Sequence, residues 1–127
     1  MNSKTHELED RLITFAVSII KIVESLPPTK AGNHLGSQMV RSGTSPALNY
    51  GEAQGAESRG DFIHKLRVVL KELRETSVAL RIAERLCSDD PRDCYHEALE
   101  ECDELISIFV TSVKTASRSG TRNNEAK

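Results

Sequence analysis

Two carboxylate–imidazole pairs stand out in the chain, Asp61-x-x-His64 and Asp93-x-x-His96. Their i, i+3 spacing is the one that di-metal helical bundles use to aim two ligands inward from one helix. Each pair opens a helical stretch, however, and successive antiparallel helices begin at opposite ends of a bundle. With a rise of about 1.5 Å per residue, the pairs are then some 35–40 Å apart within one chain. Carboxylates favoured by the positive end of the helix dipole account for both. No metal and no cofactor is expected. Ser42 and Ser45 lack a GxSxG elbow and have no His–Asp partners at a known spacing. The three cysteines, Cys87, Cys94 and Cys102, form no CxxC pair and have no visible activating neighbour. The expectation is a chain that is not an enzyme and has no small-molecule substrate.

Charge is patterned more clearly. Arg67, Lys71, Arg74, Arg81 and Arg85 are spaced 4, 3, 7 and 4, which puts them on one helical face. Asp93, Glu97, Glu100 and Glu104 follow at 4, 3 and 4 as an acidic row. Three uses are open. The rows are two solvated faces or pair within one chain; they pair across a subunit interface; or the basic row contacts RNA phosphates, helped by Lys114, Arg118 and Arg122. Nineteen acidic against 17 basic residues give a net charge of −2, so binding to nucleic acid needs this local face. Aromatics that stack unpaired bases are missing beside it.

These residues must be held by helices. Leu8, Leu12, Phe15, Ile19, Ile22 and Leu26 are spaced 4, 3, 4, 3 and 4, and Ile13, Ala16, Ile20 and Val23 widen the face. "LPPTKAG" stops that helix. Ser58, three residues before Asp61, opens a helix over 61–87 that carries Phe62, Leu66, Val69, Leu73, Thr76 and Leu80. Asp90 and Pro91 suit the cap and first turn of the next helix. Its stripe is Tyr95, Leu99, Cys102, Ile106, Phe109 and Val113. No period-two run is long enough for a strand. The fold class is all-α, an antiparallel up-and-down four-helix bundle over 1–116, with a flexible polar tail over 117–127. The charged N-terminus, the short apolar runs and the odd cysteine set predict a cytoplasmic chain with no membrane span.

The second helix is the unusual one. Gly32, Gly36, Gly43, Ala47, Gly51 and Gly55 form a ridge with almost no side chain, at separations of 4, 7, 4, 4 and 4. Such a ridge lets a neighbouring main chain approach closely, which offsets about 1 kcal/mol of helix propensity lost per glycine. Pro46 predicts a kink, or a restart capped by Thr44 or Ser45. Counting out from a turn near residue 58 sets Arg41 level with Glu75 and Glu52 close to His64. The polar set Arg41, Ser42, Ser45, Asn49, Glu52, His64 and Glu75 then reads as an interhelical network that fixes register.

A run of residues carries a resemblance: Arg41, Ser42, Ser45, Asn49 and Glu52, then Ser58, Asp61, Phe62, Lys65, Leu66, Lys71, Glu72 and Glu75. In order and spacing they are similar to the four-helix-bundle family named for proteins encoded in intervening sequences of bacterial 23S ribosomal RNA genes. The likeness covers roughly residues 8 to 85. Pro46 stands where many relatives have an aliphatic residue. The resemblance implies a homo-oligomeric ring, commonly a pentamer, with no enzymatic activity. A similar bundle accompanies reverse transcriptases in diversity-generating retroelements and is strongly basic there, unlike this chain. Two functions are therefore expected from different classes. One is an accessory or assembly factor that contacts RNA or a ribonucleoprotein; the other is a protein–protein interaction scaffold with no nucleic-acid role.

Overall fold

The computed structural model describes the backbone of residues 2–87 and 94–125 and the side chains of residues 2–87 and 94–118. Four helices follow in order: α1 (Ser3–Glu24), α2 (Lys30–Gln54), α3 (Arg59–Leu86) and α4 (Cys94–Glu125). Three starts are capped by a side-chain oxygen that accepts an otherwise orphaned amide. Asn2 takes the Thr5 amide at 2.8 Å, Thr29 that of Gly32 at 3.0 Å, and Ser58 that of Asp61 at 3.0 Å. The connections are short, so consecutive helices run antiparallel and pack side by side. Contact is close between α1 and α2, α2 and α3, and α3 and α4; α1 and α4 close the square and touch least. The Arg59 guanidinium donates to the Ala116 carbonyl at 2.9 Å, tying the start of α3 to α4. The chain is the all-α four-helix bundle expected from the periodicities.

Leu12, Phe15, Ile19, Met39, Leu73 and Phe109 are among the fully buried side chains of one continuous core. Burying side chains of this size contributes about 1.5–3 kcal/mol each. The scarcity of large aromatics is met by interdigitated aliphatics. One aromatic pair, Tyr50 against Phe109, packs edge to face with ring centroids 5.5 Å apart.

Two expectations about α2 change. The helix neither restarts nor caps at Pro46; it runs unbroken from Lys30 to Gln54. Thr44 Oγ1 donates back to the Val40 carbonyl at 2.7 Å, and Ser45 Oγ accepts from Asn49 Nδ2 at 2.8 Å, so neither caps a new start. The Pro46 ring is fully buried, and that packing offsets the hydrogen bond it removes. The glycine ridge also divides. Gly32, Gly36 and Gly43 are buried, whereas Gly51 and Gly55 are exposed, with Gly55 lying just past the helix end. The space above Gly43 and Gly36 is filled by the side chains of Ile19, Val23 and Leu26, whereas at Gly32 it is the main chain of Pro27 that approaches. A Cβ at Gly43 would fall 2.6 Å from Ile19 Cγ2.

The helical backbone of α4 continues to Glu125, past the boundary expected at residue 116. The expected cap at Asp90, Pro91, and the acidic candidate Asp93 all lie outside the described residues.

Candidate interaction surfaces

The polar network sits on the α2–α3 seam. Arg41 Nη1 donates to Glu72 Oε2 at 2.8 Å, and Nη2 donates to Glu75. Hydrogen bonding to Glu72, foremost, raises the guanidinium further above its already high range. Below this pair, the Ser42 and Thr76 hydroxyls are fully buried and 2.9 Å apart, with Thr76 also 2.8 Å from the Glu72 carbonyl oxygen. Glu52 accepts from Lys65 Nζ at 2.7 Å instead of meeting His64, whose side chain faces solvent. Counting from the turn sets the level along the helix, but it does not set which residue of that turn faces the seam. Ser45 and Asn49 bond to each other within α2. Lys65, Glu72 and Thr76 are the cross-helix partners that counting did not supply. The Arg41 and Glu75 side chains remain 55% and 47% exposed, so this ion pair fixes register at the surface, not in the core.

Among the described residues the charge rows do not meet. Arg67, Lys71, Arg74, Arg81 and Arg85 are all exposed and form no ion pair with the described residues. On α4, Glu104 is bound by Arg11 of α1, which also holds Glu101 through two bonds of 2.7 and 2.8 Å. Glu100 reaches His96 at 3.0 Å, and Glu97 is exposed. Among the described residues the two rows therefore do not pair with each other: the acidic row turns toward α1, while the basic row faces solvent. Arg11 was not legible as a partner, because a lone cation beside Leu12 produces no periodic signal.

Apolar side chains complete the surface. Val78, Ile82 and Leu86 are 48–53% exposed and lie between Arg74, Arg81 and Arg85 on α3. Ile13 and Val17 of α1 and Val40 and Leu48 of α2 are exposed as well. Between α1 and α4, where the bundle closes least, runs a groove of about 370 Å³. Phe15, Ile22 and Ala98 line it, with Ser18, Lys21 and Glu97 also at its walls. Among the described residues no helix is long and apolar enough to cross a membrane, and no group of His, Cys, Asp and Glu could hold a metal ion.

Cys102 is fully buried, and its thiol donates to the Leu73 carbonyl at 3.2 Å. Burial, then the nearby Asp103 and Glu101 charges, push the thiol from its ordinary 9.0 up to about 12. The fold thus favours the protonated form, a contribution complete below the unfolded value and lost as pH rises from 9 toward 12. Iodoacetamide at pH 8 is expected to label Cys87 and Cys94, both half-buried, well before Cys102 in the folded chain. Peptide mass mapping of the alkylated protein reads the order.

The fold and its polar seam can be set against known proteins. Residues 4–111 match the family described as 23S rRNA-intervening sequence protein. The chain belongs to that family. A crystal structure from Bacteroides thetaiotaomicron VPI-5482, described as a protein with unknown function from the S23 ribosomal protein family, is similar at 32% identity and a TM-score of 0.77. The likeness covers 87% of this chain and 98% of that one. None of the curated proteins matches the chain. For a 23S rRNA-intervening sequence protein, the matched stretch takes in α1 to α3 and α4 as far as Thr111.

Proposed function

We propose that this chain is a non-catalytic, self-assembling bundle that contacts RNA or a ribonucleoprotein in the cytoplasm. Membership of a family associated with 23S rRNA motivates the partner class. The observation that carries the reading is the unpaired basic row on α3. Among the described residues these five cations form no ion pair, which makes them available to an external anion. The row is not uniform. Arg67 and Lys71, in the N-terminal half of α3, stand away from the exposed large apolar residues, and Arg74 borders them at Val78; this end of the row suits phosphate contact. Toward its C-terminal half, Val78, Ile82 and Leu86 are interleaved with the arginines, which suits a protein partner. Free cysteines fit the cytoplasm. Self-assembly into a ring, a pentamer by the family expectation, uses the apolar surfaces.

Fluorescence anisotropy of labelled single-stranded and duplex RNA over a salt series tests the reading. Affinity is expected to fall as salt rises. In the Arg67→Glu, Lys71→Glu, Arg74→Glu triple variant, the slope of log affinity against log salt for single-stranded RNA drops by about two. Binding no stronger than that of a neutral control protein at low salt rejects the RNA partner and leaves a protein-only scaffold. The acidic net charge favours that second reading.

A further inference from the structure

The α1–α4 groove and the apolar–basic ridge of α3 are shaped and charged as counterparts. We propose that the groove of one copy receives the Val78–Ile82–Leu86 ridge of the next, with copies standing side by side in the same orientation. This rests on the self-assembly reading above and names the two surfaces that carry it.

Position is the first support. Helices contact in the cyclic order α1, α2, α3, α4, so the α1–α4 face lies opposite the α2–α3 face. Val78 and Ile82 lie at the α2–α3 seam, beside Leu35, Gln38 and Glu75. Ridge and groove are therefore on opposite sides of the bundle. They are also at the same end of it. The groove is walled by Thr14–Ser25, the second half of α1, and by Cys94–Glu101, the first half of α4. The ridge is the last part of α3, which runs parallel to α1. Two complementary patches at one height on opposite faces generate a head-to-tail contact between parallel copies. Such contacts close into a ring when the rotation between copies permits.

Size and charge agree. At about 1.5 Å per residue, the ridge spans roughly 12 Å, while the groove walls run roughly 16 Å along α1 and 10 Å along α4. Phe15, Ile22 and Ala98 offer the groove an apolar lining for Val78, Ile82 and Leu86. Glu97 stands on the α4 wall of the groove and Glu100 is exposed three residues further along α4; among the described residues no lysine or arginine is bound to either. Arg81 and Arg85 flank the ridge. Among the described residues Lys21 is the one groove-lining cation, and Arg11 nearby is held by Glu101 and Glu104. Opposite charge around matched apolar surface sets register and excludes like-with-like docking, ridge to ridge or groove to groove.

Light scattering coupled to size-exclusion chromatography of the full chain tests this. Wild type is expected to assemble. Arg81→Glu with Arg85→Glu, and separately Glu97→Lys with Glu100→Lys, should each raise the concentration at which the assembly dissociates by about tenfold or more. All four positions are exposed, and unchanged circular dichroism melts would verify that each chain still folds. The chain carrying all four changes restores complementarity and should reassemble. A monomeric wild type overturns both this contact and the assembly reading. Assembly that survives either double variant overturns this contact alone, as does failure of the fourfold variant to reassemble. Loss of assembly in Leu48→Asp but not in the ridge variants assigns the interface to the exposed apolar residues of α1 and α2 instead. If Arg81→Glu with Arg85→Glu abolishes RNA binding while assembly persists, this half of the ridge belongs to RNA and the proposal fails.

Discussion

Phe109→Ala is expected to lower the unfolding free energy by about 3–5 kcal/mol, as removing a fully buried aromatic from a rigid core does. The ring fills the centre of α4's buried face and meets the edge of Tyr50 from α2 at 5.5 Å, so its loss also removes a contact across the bundle. Such aromatic pairs contribute about 0.5–1.5 kcal/mol beyond the area they bury. Urea titration at fixed chain concentration measures the change, since apparent stability depends on concentration wherever chains associate. The slope against urea should stay at its wild-type value, and the melting temperature should fall by roughly 4 °C per kcal/mol. A loss below about 1 kcal/mol would mean that the site collapses around the deletion.

Gly43→Val should cost nearly as much, for the opposite reason. Ile19 is β-branched and fully buried, and three of its carbons lie 2.6, 2.9 and 3.0 Å from where a Cβ at residue 43 would stand. None of those atoms is the end of a flexible side chain, so α1 and α2 must move apart. Overpacking of this kind costs about 1–3 kcal/mol, and the branched valine belongs at the upper end. Gly51→Ala is the internal contrast. There a Cβ meets nothing nearer than Glu9 Oε2 at 3.8 Å, so the gain in helix propensity is uncancelled. It should raise stability by about 0.5–1 kcal/mol. Two glycines from one sequence ridge are thus expected to respond with opposite signs in the same urea titration.

That contrast shows where the sequence was readable. Local signals were clear: the Leu12–Phe15–Ile19–Ile22 stripe is the buried face of α1, and Ser58 caps α3 three residues before Asp61. The level of Arg41 with Glu75 followed from turn position alone. What needed a neighbour was less legible. On α4 the buried line runs through Tyr95, Ala98, Cys102, Leu105 and Phe109, while Leu99, Ile106 and Val113 only flank it. Apolar residues lie on both sides of that line, and packing against α3 and α1 decides between them. The charge rows illustrate the same limit. Spacing places Arg67 to Arg85 on one face, yet only the assembled bundle shows that this face turns from the acidic row on α4. Lys65, one residue beyond His64, takes Glu52 because helical phase, not level, selects the partner.

The weak seam between the first and last helices has a kinetic meaning. Every tight seam in this bundle joins helices that are consecutive along the chain. Each can zip by closing a small loop, at little entropic cost, before any distant segment arrives. The sole long-range closure carries the least contact and is therefore the natural last step. A half-finished bundle of this kind keeps its terminal helices parted, so the groove between them is the last part of the molecule to take shape.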